Sequence, residues 1–206
     1  MRQYLGNLYT HSLLFDRIRK ENQARILEVG CGSGIMSIFL SLLGHEVTCV
    51  DNNNAVLNKA KELNNIFKAK AQFLIADAFN LEGAFNKSTF DISFSQGLFE
   101  HFDDNQIRIS LGQQLAVSRK VIISIPSKYY PIRDFGNERL LSIEKWSEIL
   151  EGFDITCLEY YGFYLPWKKD LLGSLLNPLF YWKTLYSLII RESSHILIEV
   201  KGTKAC

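Results

Sequence analysis

Short apolar runs rich in β-branched residues alternate along the chain with segments in which apolar residues recur at helical spacing. This alternation is typical of βαβ units, which build a mainly parallel sheet covered by helices. Seven runs have the length and composition of strands, namely Arg25–Val29, Glu46–Val50, Gln72–Ile75, Phe90–Phe94, Val121–Ile125, Asp154–Glu159 and His195–Val200. The pattern therefore predicts an α/β fold with a seven-stranded sheet.

Helices are predicted between these strands. One apolar stripe at helical spacing precedes Gly44 and is expected to pack on the sheet: Ile35, Ile38, Phe39 and Leu42. The next helix is expected from Ala55 to about Asn64, with Asn53 or Asn54 as its N-cap. This second helix is predicted to bury three apolar residues: Val56, Ala60 and Leu63.

Two segments stand outside the alternation. Residues 1–23 have an amphipathic pattern and are expected to form a helical cover, with His11 at a solvent-facing position. Residues 162–194 are rich in aromatic side chains, and only Lys183 is charged between Leu171 and Ile190. Three residues interrupt this run and argue against a membrane-spanning helix: Gly173, Asn177 and Pro178.

The composition narrows the class of protein. The 206 residues, 47% of them hydrophobic, suit one core, so residues 1–206 are predicted to form a single domain. Lys and Arg number 23 against 22 Asp and Glu, without long runs of either sign, which disfavours nucleic-acid partners. The four cysteines are widely spaced and are predicted to be reduced thiols. The start, MRQYLGNLYT, lacks the apolar core of a signal peptide, so a cytoplasmic location is expected.

The strongest chemical signal is RILEVGCGSG, residues 25–34, where an apolar strand passes through a glycine-rich turn directly into a helix. Glycine permits backbone angles that other residues resist, and free N–H groups at the helix start can bind an acceptor. The spacing is G-x-G-x-G, with Ile35 in place of the last glycine of the dinucleotide fingerprint, so a pyrophosphate fits less well. We expect a cofactor-binding loop here.

The second strand, in EVTCVDNN, ends in Asp51, which follows Gly30 by 21 positions. A carboxylate at this place can accept both hydroxyl hydrogens of an adenosine ribose. Helix capping is the competing interpretation, since Asp51 and residues 52–54 also suit that role. The strand order and the spacing together favour ribose binding.

Four motifs, ILEVGCGSG, VTCVDNN, FLIADAF and FDISFSQGLFEHF, follow one another in the order found in class I S-adenosylmethionine-dependent methyltransferases. From about Arg25 to Ser127 the chain resembles that family. The resemblance implies a Rossmann-like three-layer sandwich with strand order 3-2-1-4-5-7-6 and an antiparallel last strand. It also implies S-adenosyl-L-methionine as cofactor, S-adenosyl-L-homocysteine as product, and no metal.

The resemblance also implies where the cofactor binds. The first loop would face its methionine part, Asp51 would hold the ribose, and Asp77 would take the adenine amino group. The full set of implied cofactor-binding residues is Glu28, Gly30, Cys31, Gly32, Gly34, Asp51, Asn52, Asp77, Ala78, Ser95 and Gln96.

His101 follows the fourth strand, where such enzymes bring cofactor and acceptor together. An imidazole, whose ordinary pKa is about 6.5, can remove a proton from an oxygen or nitrogen nucleophile, so His101 is the candidate catalytic base. The competing interpretation is that His101 only braces the loop, because Glu-His occurs at this place in the family whatever the substrate. Methyl transfer itself is expected to be direct and in line, and to depend chiefly on positioning.

Particular residues disfavour other functions. A short-chain NAD(P)-dependent reductase would need a YxxxK pair, and Tyr164 and Lys168 have that spacing, but Pro166 opposes the helix required. A noncatalytic cofactor-binding or scaffold subunit is the other alternative, and the intact acids and glycines argue for retained cofactor binding. Amino-directed nucleic-acid methyltransferases would have Asn- or Asp-Pro-Pro-aromatic after the fourth strand, where this chain has SQGL. Cytosine-C5 methyltransferases would have a Pro-Cys nucleophile, and the sequence contains no Pro-Cys pair. A small-molecule acceptor is therefore expected, with its reacting atom (N, O, S or C) left open. Ribose or other RNA methylation stays open as well, although the near-neutral net charge disfavours it.

Three interpretations of residues 162–194 stay open. The aromatic segment suits a lid over the acceptor, a contact in a homodimer, or a peripheral membrane contact. We expect the lid, because so apolar a segment can exclude water from the reacting sulfonium.

Overall fold

Seven strands form one mixed sheet in the order β3-β2-β1-β4-β5-β7-β6. This computed structural model describes residues 2–130, 135–162 and 193–202. The strands are β1 Arg25–Val29, β2 Glu46–Asp51, β3 Gln72–Ile75, β4 Ile92–Gln96, β5 Lys120–Pro126, β6 Asp154–Tyr161 and β7 His195–Lys201. Strands β1 to β5 pair in parallel, and β7 is antiparallel to both β5 and β6. The predicted order and the antiparallel last strand are confirmed.

Helices cover both faces of this sheet. They are α1 Arg2–Thr10, α2 Ser12–Arg19, α3 Ile35–Leu42, α4 Asn54–Phe67, α5 Asp104–Val117 and α6 Ile143–Ile149, with a short 3₁₀ turn at Phe99–His101. Buried residues of α2, α3 and α4 pack with one face of the strands, and those of α5 and α6 pack with the other. The result is the three-layer sandwich predicted from the family resemblance.

The buried face of α3 agrees with the prediction in part, since Ile35 and Ile38 are buried as expected. Leu42 is exposed and Phe39 is only partly buried, whereas Met36 and Leu40 are fully buried. The sequence of α3, IMSIFLSL, has apolar residues on every side, so spacing alone does not select the face that meets the sheet. Gly44 does follow the helix in a left-handed conformation, with φ of +95°.

The buried face of α4 is rotated by one residue from the prediction. Ala60 is buried as expected, but Leu57 and Asn64 accompany it, and Val56 and Leu63 are only partly buried. Asn64 tolerates burial because its Nδ2 donates to the Ala69 carbonyl at 3.1 Å. Of the two proposed N-caps, Asn53 is the correct one, and its Oδ1 accepts from the N–H groups of residues 55 and 56.

His11 lies between α1 and α2, and the prediction of a solvent-facing position is wrong. The residue is 8% exposed, and its Nδ1 lies 3.2 Å from Ser124 Oγ and 3.0 Å from Tyr161 Oη. Its ring meets that of His195 edge-on, with centroids 4.7 Å apart. An imidazole can be buried when its polar atoms have partners, and here β5 and β6 supply them.

A second set of contacts fixes the N-terminal helices to the sheet. The Arg17 guanidinium of α2 bonds Glu159 Oε1 on β6 at 2.9 Å and Glu199 Oε1 on β7 at 3.0 Å. The predicted helical cover is therefore docked through its side chains as well as its apolar face. Within residues 2–130, 135–162 and 193–202, no helix has the length and apolar character needed to cross a bilayer.

Candidate cofactor and acceptor site

Two cavities open at the carboxyl ends of the parallel strands, where an open α/β sheet places its ligands. The larger has a volume of about 410 Å³, and its described lining is Val29, Gly30, Asp51, Asn52, Ala76, Asp77, Ala78, Phe79, Gly97, Leu98, His101, Phe102, Phe135 and Asn137. The smaller has a volume of about 200 Å³, and its described lining is Asn7, Glu28, Gly30, Cys31, Gly32, Ser33, Ile35, Met36, Gln96 and Gly97. Gly30 and Gly97 line both, so the two cavities adjoin at these glycines.

The glycine-rich loop connects β1 to α3 and forms part of both walls. The N–H groups of Gly30 and Cys31 donate to the Val50 carbonyl at 2.9 and 3.0 Å, which holds the loop against β2. Gly30 has a φ of +70°, and a Cβ at this position would lie 2.9 Å from Leu98 Cδ1. A side chain here would therefore be strained and would also displace Leu98, which lines the larger cavity.

Asp51 ends β2 and joins the two motifs. Its Oδ2 accepts from Gly32 N–H at 3.2 Å, and its Oδ1 accepts from Asn53 N–H at 2.9 Å. The residue thus stabilises the turn before α4, as the capping interpretation expects, and it also lines the larger cavity. Each carboxylate oxygen accepts more than one hydrogen bond, so the turn leaves capacity for ligand hydroxyl groups.

Asp77 and Ala78 follow β3 and form the next part of the larger cavity. The Oδ1 of Asp77 accepts from Phe79 N–H at 2.9 Å, which fixes the turn while the carboxylate stays exposed. The Phe79 ring packs against that of Phe102, with centroids 4.8 Å apart. An exposed acid beside aromatic rings suits a planar base that carries an amino donor.

Glu28 lies near the carboxyl end of β1, lines the smaller cavity and is 4% exposed. Burial raises the pKa of its carboxyl to about 8, although nearby Ser37 acts to lower it. Its Oε2 is buried and has no hydrogen-bond partner among the described residues. A cationic donor in this cavity would supply the missing partner and restore the charged form.

His101 lies in the 3₁₀ turn after β4 and lines the larger cavity. Its Nδ1 is 2.9 Å from Asn137 Oδ1, and its ring meets the Phe135 ring edge-on, with centroids 5.7 Å apart. The carboxylate of Glu138 accepts from the N–H groups of Phe135 and Gly136 at 2.6 and 2.9 Å, and it interacts electrostatically with His101. The turn and the 135–138 segment therefore hold the imidazole from one side.

Ten of the twelve residues named from the sequence line one or both of these cavities. Ser95 and Gly34 belong to neither described lining, and both are buried. Their assignment to the cofactor stays a prediction. Sequence reasoning missed Asn7, Phe135 and Asn137, which reach the site from elements outside the four motifs.

Other sequence expectations have different outcomes. Cys31, Cys49 and Cys157 are free thiols, and Cys206 lies outside the described residues. The described part of the chain contains no group of three or more His, Cys, Asp or Glu side chains placed to hold a metal ion. Nearly all of the segment 162–194, with Tyr164 and Lys168, also lies outside the described residues.

A comparison with protein families agrees with the arrangement of this site. A family model described as a methyltransferase domain matches residues 26–120, which include all four motifs. Over this region the chain is similar to S-adenosylmethionine-dependent methyltransferases, as the four motifs predict. The family's match ends at β5, so α6, β6, β7 and the N-terminal helices lie outside it.

Individual relatives match parts of the chain. A probable S-adenosyl-L-methionine-dependent methyltransferase, TehB of Haemophilus influenzae, is 39% identical over 59 residues, which are 27% of this chain and 21% of TehB. The mitochondrial ubiquinone biosynthesis O-methyltransferase of Schizosaccharomyces pombe is 26% identical over 108 residues, which are 50% of this chain and 38% of that enzyme. The chain thus matches well under half the length of either relative.

Solved structures resemble the whole fold. A SAM-dependent methyltransferase from Aquifex aeolicus superposes with a TM-score of 0.65 at 16% identity, over 95% of this chain and 91% of that one. This likeness extends the fold of the family beyond residues 26–120 to the elements at both ends of the described chain.

Proposed function

We propose that this protein is an S-adenosylmethionine-dependent methyltransferase that transfers a methyl group directly, in line, to a small-molecule acceptor. The observation that carries the proposal is the pair of cavities that adjoin at Gly30 and Gly97. Asp51 and Asp77 line the larger, and the buried Glu28, whose Oε2 has no partner among the described residues, lines the smaller. An elongated ligand with a nucleoside at one end and a cationic group at the other fits both. When bound, S-adenosylmethionine supplies an electrophilic methyl group.

The described residues suit each part of that cofactor. In this proposal Asp51 and Asn52 hold the ribose hydroxyls, and Asp77 and Ala78 take the adenine edge. Glu28, Gln96 and residues 30–32 hold the methionine end. NAD would instead bring a pyrophosphate to the glycine-rich loop, whose G-x-G-x-G spacing lacks the last glycine of the dinucleotide fingerprint.

His101 is proposed as the base that takes a proton from the acceptor. If Nδ1–H donates to Asn137 Oδ1, the lone pair is on Nε2 and can receive a proton from a hydroxyl or amine. The nearby Glu138 carboxylate would stabilise the imidazolium that results. An oxygen acceptor is also what the name of the S. pombe relative indicates for that relative.

Binding of S-adenosylhomocysteine, measured by calorimetry with NAD as the comparison ligand, tests the proposed function. We expect binding of S-adenosylhomocysteine and none of NAD. Asp51→Ala should weaken S-adenosylhomocysteine binding by about 1–3 kcal/mol, because charge-assisted hydrogen bonds to the ribose are lost. Asp154→Ala, at an exposed carboxylate that begins β6, should leave the affinity unchanged. A folded Asp51→Ala protein with wild-type affinity would remove the ribose assignment.

Glu28 should release a proton when the cofactor binds. At pH 7 a carboxyl with a pKa near 8 is mostly protonated, and an ammonium or sulfonium ligand favours its charged form, so up to about one proton should be released. Calorimetry in two buffers of different ionisation enthalpy measures this number. Glu28→Gln should abolish the release.

Glu100→Gln is the matched control for that experiment. Burial also raises the pKa of Glu100 to about 8, but Glu100 is in neither described cavity lining. Proton release should therefore persist in Glu100→Gln. Equal loss of release in both variants would mean that Glu28 is not the group that senses the ligand.

The cytoplasmic location and the homodimer stay predictions.

A further inference from the structure

The smaller cavity has a wall that lies outside the family motifs. Asn7 lines this cavity and belongs to none of the four motifs. It lies in the middle of α1, a helix that the family model does not cover. Its backbone carbonyl accepts from His11 N–H at 3.0 Å, so it lies one helical turn before the buried imidazole that binds Ser124 and Tyr161. The His11 contacts therefore fix the register in which α1 presents Asn7.

Two residues that line this cavity each have a buried side-chain oxygen with the same deficiency. Asn7 Oδ1 and Glu28 Oε2 are both shielded from solvent, and neither has a hydrogen-bond partner among the described residues. Such unpartnered acceptors are costly in a folded protein and point to a missing donor. One oxygen belongs to a neutral amide and the other to a carboxyl, so the fitting ligand group is a cation with several N–H donors.

We infer that Asn7 of α1 completes, together with Glu28, the binding site for the ammonium group at the amino-acid end of the cofactor. This inference rests on the proposed function. An ammonium has three N–H donors, enough to satisfy both oxygens at once. The N-terminal helices are then part of the cofactor site and not only a cover for the sheet. Asn7 is a binding residue in this account, and His11 is the positioning residue behind it.

Calorimetry with three ligands isolates this contact. S-adenosylhomocysteine has the complete amino-acid end, its decarboxylated analogue keeps the ammonium alone, and 5′-methylthioadenosine lacks both groups. Asn7→Leu keeps the approximate size of the side chain but removes the acceptor, and it should weaken binding of the first two ligands about 10-fold. Binding of 5′-methylthioadenosine should stay within about 2-fold of wild type.

Two further variants serve as controls. Asn7→Asp retains an acceptor oxygen and should bind S-adenosylhomocysteine at least as well as wild type does. Tyr9→Ala changes an exposed residue of the same helix and should leave all three affinities unchanged. Circular dichroism of each variant checks that the fold is intact.

The outcomes separate the inference from the function on which it rests. A selective loss in Asn7→Leu, with rescue in Asn7→Asp, supports the ammonium site. Wild-type affinity of Asn7→Leu for S-adenosylhomocysteine, or an equal loss for all three ligands, overturns it while leaving the proposed function intact. If wild-type protein binds none of the three, the proposed function fails and the inference fails with it.

Discussion

Acidification from pH 6.5 to pH 5 should lower the unfolding free energy of the wild-type protein by about 1.6 kcal/mol more than that of His195→Gln. Burial lowers the pKa of His195 to about 4, whereas the unfolded chain titrates near 6.5. Between about pH 6.5 and pH 4, the His195 imidazole binds a proton in the unfolded state but not in the folded state. The stability is therefore complete above about pH 6.5 and is lost as the pH falls toward 4.

The groups around His195 explain this shift. Its Nδ1 lies 2.9 Å from Ser194 Oγ, and the rings of His11, Tyr130 and Tyr161 surround it without an acid among these contacts. Burial, and then His195 itself, also lower the pKa of His11 well below its usual value. A proton on either ring would be buried beside the other imidazole.

Urea unfolding at several pH values measures the unfolding free energy. The contribution of His195 is the difference between the wild-type and His195→Gln curves, because other groups also titrate in this range. Glu28 and Glu100, each with a pKa near 8, act in the opposite direction because the folded state binds their protons more tightly. Subtracting the curve of His195→Gln from that of wild type removes these carboxyl contributions. Parallel curves for the two proteins would show that His195 does not stay neutral in the folded state.

His101→Ala should lower the turnover number by about 100-fold or more if the acceptor loses a proton during transfer, since that is the usual contribution of a positioned base. Production of S-adenosylhomocysteine with a panel of hydroxyl- and amino-bearing small molecules measures turnover. The cofactor affinity of the variant should change little, because Asp51, Asp77 and Glu28 are retained.

Asn137→Ala provides the companion measurement. The loss of the Asn137 amide removes the group that fixes the imidazole tautomer, so turnover should fall by a smaller factor than in His101→Ala, and the pH profile should shift. Normal turnover in a folded His101→Ala protein would return His101 to the loop-bracing role. Reduced cofactor affinity with normal turnover would mean that His101 contributes to cofactor binding and not to proton removal.

The strands were predictable because their runs are short, apolar and bounded by turn residues. All seven predicted runs contain a strand, and the largest shift is at the fourth, which begins at Ile92 because Phe90 forms only an isolated bridge to Ser118. The motif residues were also predictable, since each follows a parallel strand and the sheet brings those ends together. The order of the motifs along the chain therefore predicts most of the residues that line the two cavities.

The remainder of the site depends on tertiary contacts that leave no local pattern. His11 is part of an amphipathic stretch, but its burial is decided by hydroxyl groups on β5 and β6, more than 100 residues away. Asn7 enters the cavity only because that docking holds α1 in place. Asn137 reaches His101 from a loop 36 positions further along the chain. No spacing rule connects such residues before the fold is known.

The hydrogen bond from Gly32 N–H to Asp51 has a kinetic consequence. It joins the loop after β1 to the acid after β2 through protein atoms alone, so the chain itself sets the shape of this part of the larger cavity. A preformed pocket needs no slow ordering step between encounter and capture, and ligands should reach it at a rate governed by diffusion and desolvation. Variants along this edge would then differ in how long a ligand stays, and hardly in how fast it arrives.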